Sequence, residues 1–191
     1  MTRTSESQSR LRKSAIAARR SLSDAERASA SATICERVIR SPWFSACDTI
    51  ACYLSSDDEV DSSAIIDRAW RAKKRIFAPV VATHGAMLFR RLTPDTKLER
   101  NVFGLWEPVD GPCIPARQCD VVITPMVVFD GTGHRIGMGS GYFDRCFAFL
   151  KHRRRWLRPK LIGLAFTCQR VEKITPNPWD IPVYQVITER S

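Results

Sequence analysis

The chain has 191 residues, 44% hydrophobic and 26% charged, with 30 Lys and Arg against 20 Asp and Glu, a formal charge of +10. A protein this size buries roughly 70% of its unfolded surface, which is enough for a real core; the mixture excludes collagen, coiled coil and wholesale disorder. No stretch approaches the ~20 consecutive apolar residues of a membrane helix, and the surplus of positive charge suits nucleic acid, a membrane surface or an anionic small ligand.

The first 22 residues hold six basic side chains, many serines and one acid, Glu6, a composition shared with transit peptides. Leu11, Ala15, Ala18 and Leu22 recur at helical spacing, however. The expectation is a first helix preceded by a loose polar tail over residues 1–9, with one domain over 10–191. Ser23-Asp24-Ala25-Glu26 is a capping box that opens a second helix to about Arg40, which Pro42 ends. An apolar strand over 48–54, a polar elbow over 55–59, a helical pattern over 62–74 and a strand over 75–81 follow. Strand, helix and strand this close together make a βαβ unit, hence a parallel sheet with a right-handed crossover.

Residues 87–92 read as an antiparallel or edge strand, and the Pro- and Gly-rich stretch 93–118 as a path over the surface. Residues 120–129 read as a buried strand bulged at Pro125. A glycine-rich turn, a helix from near Gly141 and strands over 160–166 and 183–188 complete one α/β domain. Ligands of such sheets bind where loops leave the carboxyl ends of strands. Two loops qualify, 54–59 and 130–144.

The seven cysteines are scattered, with no CxxC pair and no histidine at zinc-finger spacing, so neither a disulfide framework nor a zinc site is legible. That usage points to a reducing compartment, the cytoplasm. The run 151–160 holds six basic residues and no acid. It reads as a solvated segment, or as a nucleic-acid contact with Trp156 as a stacking face.

The loop carries five glycines, Gly131, Gly133, Gly137, Gly139 and Gly141, between a buried strand and a helix. Glycines at this spacing let the backbone fold sharply and turn several amides toward one anion. Arg135 adds a planar donor fork suited to phosphate, Asp144 a carboxylate for Mg or for the loop, and Tyr142 a stacking face. Neither GxxxxGK[ST] nor GxGxxG is present.

The stretch 133–145, Gly-His-Arg-Ile-Gly-Met-Gly-Ser-Gly-Tyr-Phe-Asp-Arg, resembles the signature of the 5-formyltetrahydrofolate cyclo-ligase family. Leu11-Arg12, Tyr53-Leu54-Ser55 through Glu59-Val60-Asp61, Phe103-Gly-Leu-Trp-Glu-Pro108, Ile123-Thr-Pro125 and Trp179-Asp-Ile-Pro182 agree in order and spacing. The resemblance covers nearly the whole chain. It implies a single three-layer, Rossmann-like α/β domain with a mostly parallel sheet, related to the sugar-phosphate isomerase and CoA-transferase folds. It also implies ATP- and Mg-dependent closure of 5-formyltetrahydrofolate to 5,10-methenyltetrahydrofolate through a phosphorylated formyl intermediate.

Carried over on that resemblance, Arg12, Arg135, Ile136, Gly137, Met138, Gly139, Ser140, Gly141, Tyr142 and Phe143 would hold ATP. Leu54, Glu59, Trp106, Gly139 and Tyr142 would line the folate pocket. Asp144 and Asp180 would serve Mg, and Arg135, Tyr142 and Glu59 would act in catalysis. Gln8 stands where the family pattern commonly has Lys, Trp179 where a His often precedes the late Asp, and Tyr184 where a second Asp is common. The expected partner is a reduced folate, which can carry a polyglutamyl tail, acting on a monomer without membrane or obligatory nucleic acid. The alternative is a basic nucleic-acid-binding protein using residues 151–160.

Overall fold

Alternation along a few short strands decides how the layers form. The computed structural model describes residues 3–56, 58–82, 86–152 and 158–190. Helix α1 (Arg3–Arg20) leads into α2 (Asp24–Arg40), whose start is the expected capping box: Ser23 Oγ accepts from Glu26 N while the Glu26 carboxylate accepts from Ser23 N. The tail expected over residues 1–9 is therefore helical from residue 3. Gln8 ties that early turn down by donating to the Thr175 carbonyl at 3.2 Å. Pro42 not only follows α2 but begins α3 (Pro42–Ala46), where its missing N–H costs nothing.

Strand β1 (Thr49–Cys52), helix α4 (Ser63–Arg71) and strand β2 (Arg75–Val81) form the expected parallel unit, with Ile50 opposite Ile76. β3 (Met87–Leu92) returns antiparallel to β2. The stretch 93–118 is more than a surface path. It contains a hairpin of β4 (Leu98–Arg100) and β5 (Trp106–Pro108), then β6 (Cys113–Ile114), which joins the sheet beside β3.

The strand expected over 120–129 divides in two. β7 (Val121–Pro125) stays in the main sheet, whereas β8 (Val128–Phe129) turns away to pair with β9 (Arg135–Ile136). Beyond Pro125 the ladder is replaced by one side chain: buried Gln169 donates to the Met126 and Val127 carbonyls at 2.7 and 3.0 Å. α5 (Tyr142–Phe147), β10 (Lys160–Leu164) and β11 (Gln185–Ile187) complete the chain.

Among the described residues, seven strands form one sheet in the order β11-β10-β7-β1-β2-β3-β6. The first five are mutually parallel, β3 runs antiparallel to them, and β6 is antiparallel to β3. Side chains alternate between two cores. Ile50, Ile76, Val121, Ile123 and Ile162 face α2 and α4, while Phe77, Val122 and Leu161 pack with Phe147 of α5. A third cluster, Ala15 with Val127, Val128, Ile136 and Ile174, seats α1 on the β8–β9 ribbon. This is the expected three-layer α/β arrangement with a mostly parallel sheet.

The chain leaves β1 toward β2 on one side, and β7 lies on the other. The strand order therefore reverses between β1 and β7, and the loops at their carboxyl ends open onto one crevice, the usual ligand position in such sheets. Loop 54–59 arises there and residues 135–144 border it, whereas the first part of the expected loop, 130–134, is the turn that joins β8 to β9.

Candidate active site

The elbow after β1 is held from below. Buried Tyr53 donates its hydroxyl to the Val60 carbonyl at 2.6 Å, and buried Ser62 donates to the Tyr53 carbonyl at 2.8 Å. Glu59 closes the turn by accepting from Ser56 N at 3.0 Å. Asp58 receives two guanidiniums from the end of α1, Arg19 at 3.0 Å and Arg20 at 3.2 Å. Burial resists its charge, but the two arginines hold its carboxyl below the ordinary range.

The glycine-rich stretch on either side of β9 is tied down at several points. Gly133 has φ +86, and a Cβ there would stand 2.6 Å from the Val183 carbonyl oxygen, so this position is closed to other residues. Its own carbonyl accepts from Val183 N at 2.9 Å. Arg12, on α1, donates Nε to the Gly137 carbonyl at 2.8 Å, and its guanidinium lies against Gly139, whose φ is +107. Arg145 donates to the Ser140 carbonyl at 2.8 Å. α5 is six residues long. So short a helix carries little macrodipole, which leaves loop amides and arginines as the anion-facing groups.

Two cavities use this loop as a common wall. The larger, about 570 Å³, brings together Leu54, Glu59, Trp106 and Tyr142, four of the five expected folate contacts, from three separate segments. The smaller, about 190 Å³, collects Arg12, residues 135–144 and Asp180, together with Gln8 and Trp179. Pro125, Gly137, Met138, Ser140, Tyr142 and Phe143 border both. Gly139, expected at both ligands, borders only the smaller one. Ile136 lies in the core with Val127 and Val128, so its side chain is structural and only its backbone can serve a nucleotide. Tyr184 borders neither cavity; the Lys160 ammonium stands 4.6 Å from its ring centroid. The basic run 151–160 falls largely on residues 153–157, outside the described residues.

Arg135 and Asp144, expected to hold phosphate and Mg separately, are partners. Arg135 Nη1 donates to Asp144 Oδ1 at 3.0 Å, and that oxygen also accepts from Ile181 N at 3.1 Å. The Arg135 side chain is 5% exposed, and its Nη2 has no partner among the described residues. An unsatisfied buried guanidinium donor is costly, and this one borders the smaller cavity. Asp180 spends Oδ2 on the Asn177 backbone and side-chain amides at 2.8 and 3.2 Å. One carboxylate oxygen each of Asp144 and Asp180 remains without a hydrogen bond among the described residues.

No group of three or more His, Cys, Asp or Glu side chains suited to a metal occurs among the described residues. A cage made of protein alone is absent there. Two carboxylates with one spare oxygen apiece do fit Mg, which is commonly held by one or two carboxylates plus substrate phosphates. All seven cysteines are free, and neither cavity is lined by one; burial pushes Cys52 and Cys119 up to about 12 and Cys35, Cys47 and Cys146 up to about 11, which makes these five poor nucleophiles.

Sequence reasoning missed several residues of this site and of the turn that supports it. Asp130, with a 1% exposed side chain, accepts from Thr132 N, Thr132 Oγ1 and His134 N with one oxygen and from Ile174 N with the other. Burial opposes its charge, yet these bonds hold its carboxyl below the ordinary range. Asn101, Phe103, Leu105 and Glu107 also border the larger cavity. The quoted Phe-Gly-Leu-Trp-Glu-Pro segment contained three of the four.

Residues 4–189 match the 5-formyltetrahydrofolate cyclo-ligase family. The chain belongs to that family. It is 37% identical over 145 residues to 5-formyltetrahydrofolate cyclo-ligase of Haemophilus influenzae, covering 72% of this chain and 74% of that one. It is 38% identical over 144 residues to the Escherichia coli protein of the same name, covering 73% and 77%. Its fold matches the 5,10-methenyltetrahydrofolate synthetase of Aquifex aeolicus with a TM-score of 0.82 and 30% identity, over 96% of this chain and 90% of that one. Membership in this cyclo-ligase family makes the chain an enzyme, as the resemblance implied. Among the described residues, no helix is long and apolar enough to cross a membrane.

Proposed function

We propose that the chain catalyses ATP- and Mg-dependent cyclisation of 5-formyltetrahydrofolate to 5,10-methenyltetrahydrofolate, releasing ADP and phosphate. The observation that carries this reading is the shared wall: Gly137, Met138, Ser140, Tyr142 and Phe143 border both a small polar cavity with Arg12 and Arg135 and a larger one with Trp106. A transfer from a nucleotide to a folate needs both held against one surface.

A formamide carbonyl is a weak electrophile with a poor leaving oxygen. In the proposed sequence the formyl oxygen bonds the terminal phosphorus as the bond to ADP breaks. The neighbouring folate nitrogen then attacks the formyl carbon, phosphate departs with the former formyl oxygen, and the nitrogen's proton passes to solvent. Phosphoryl transfer of this kind is served by positioning and charge neutralisation, without a protein nucleophile. Arg12, the loop amides and the unpartnered Nη2 of Arg135 are the groups for the triphosphate. Glu59 and Tyr142 orient the reacting end of the folate, and Leu54 and Trp106 bound its apolar body. Mg, on the spare oxygens of Asp144 and Asp180, would supply further neutralisation of phosphate charge. Seven unpaired thiols suit a reducing compartment, and the cytoplasm is the proposed location.

The test mixes purified protein with 5-formyltetrahydrofolate, Mg and ATP and follows the near-ultraviolet band of the methenyl product. A rise that needs all three components is the expected result. A folded protein giving no rise would remove the reading.

A further inference from the structure

Four large apolar side chains stand exposed in one short stretch: Val102 at 94%, Phe103 at 55%, Leu105 at 46% and Trp106 at 43%. The last three border the larger cavity, and Val102 does not. An exposed apolar cluster with three of its four members on a cavity wall marks a surface that something covers. Across the cavity the Phe103 ring already meets Tyr142 edge-on, with centroids 6.0 Å apart.

The stretch is clipped into shape by one amide. Asn101 Oδ1 accepts from Phe103 N at 2.9 Å and Leu105 N at 3.1 Å, and Asn101 Nδ2 donates to Glu107 Oε1 at 2.7 Å. That same glutamate oxygen accepts from Val81 N on β2 at 3.2 Å, which anchors the clip to the sheet. Main-chain bonds from Asn101 N to the Leu105 carbonyl and from Gly104 N to the Asn101 carbonyl, each 2.9 Å, close the turn. Gly104 sits at φ +75. The Arg100 guanidinium lies 4.8 Å from the Trp106 ring centroid and donates to the Gly104 carbonyl at 3.1 Å, fixing the far end. So ordered a backbone beneath so exposed an apolar surface is a preorganised binding face, since the ordering is complete before a ligand arrives.

We infer that Asn101 and Glu107 are positioning residues that hold Phe103, Leu105 and Trp106 as one jaw opposite Tyr142, and that this jaw grips the ring systems of the folate. The inference rests on the folate reading above and adds to it which residues set the grip. Asn101 acts through the loop backbone, so its loss displaces the rings without removing them. The jaw lies in the cavity away from Arg12 and Arg135, so folate binding depends on it and nucleotide binding does not.

Steady-state kinetics of Asn101→Ala and Phe103→Ala test this. Each is expected to raise KM for 5-formyltetrahydrofolate about tenfold or more while changing KM for ATP and kcat less than about twofold. Val102→Ser, outside the cavity on the same turn, is expected to leave both constants unchanged. Glu107→Gln, which keeps the acceptor oxygen, should recover part of what Glu107→Ala loses; failure to recover any would mean that the carboxylate acts other than through the clip. Circular dichroism and thermal melts confirm that each variant is folded, and an unfolding Asn101→Ala leaves Phe103→Ala to decide. Equal KM shifts for both substrates, or no shift, would overturn the jaw. Titration of the same variants with 5-formyltetrahydrofolate, read by tryptophan fluorescence, decides it independently of turnover. Selective loss of affinity in Asn101→Ala and Phe103→Ala supports the jaw, and affinities equal to the parent's refute it. Absence of wild-type turnover, by contrast, strikes the proposed reaction.

Discussion

Arg135 and Asp144 neutralise one another across the glycine loop, so either residue carries two duties at once. Asp144 compensates a guanidinium that is only 5% exposed and also caps Ile181 N, whereas Asp180 serves a local turn with Asn177. Asp144→Asn and Asp180→Asn should therefore differ. Removing the counter-ion of a buried arginine costs about 3 kcal/mol, which a urea denaturation midpoint would register for Asp144→Asn. Asp180→Asn keeps an acceptor for Asn177 and should shift stability by less than about 0.5 kcal/mol. Both should raise the Mg concentration needed for half-maximal turnover. Equal stability of the two variants would contradict the buried pairing. Glycine spacing and the arginine in the loop pointed in the sequence to the stretch that lines the smaller cavity. The pairing was not legible, because eight residues with left-handed turns among them separate the two side chains and nothing in residue type announces which acid an arginine meets. Ile136 shows the converse. It lies inside the signature, yet its side chain belongs to the core, a distinction that only the β8–β9 ribbon makes visible.

Elements were legible wherever local chemistry decides them. The capping box of α2, the parallel β1–α4–β2 unit and the antiparallel return of β3 follow from caps and periodicity. The division of 120–129 did not show, because Gln169, more than forty residues away, supplies the bonds that let the chain leave the sheet. The hairpin in 93–118 was hidden by its Pro and Gly content, which reads as loop. Asp130, just after β8, is a comparable long-range device, joining the glycine turn to Ile174. Its folded carboxyl titrates below its unfolded value, with His134 Nδ1 3.5 Å away as the nearest titratable group. It therefore contributes stability that is complete above about pH 4 and is lost as pH falls through the folded value. Asp130→Asn should lower stability at neutral pH and flatten its decline below about pH 4, measured as urea midpoint against pH. A parallel decline in both proteins would show that this carboxylate is not the group responsible.

At the scale of the molecule, the reversal of strand order between β1 and β7 explains why residues some eighty positions apart share one crevice. That much was legible, since βαβ units and loop positions predict a switch point. The role of α1 was not, because its amphipathic stripe said only that it packs somewhere. In the fold it lies across both cavities. Arg12 holds the Gly137 carbonyl at the smaller cavity, proposed for the nucleotide, and Arg19, about 10 Å further along the same rod, holds Asp58 at the larger one, proposed for the folate. The consequence is heterotropic cooperativity. A ligand that steadies α1 through Arg12 steadies the elbow through Arg19, so each substrate should favour the other. The two effects must be the same factor, because coupling between binding sites is reciprocal. With a non-hydrolysable ATP analogue, calorimetric titration of either ligand in the presence of the other should return one number. Asp58→Ala should bring that number toward unity from both directions, and an unchanged factor would show that the helix transmits nothing.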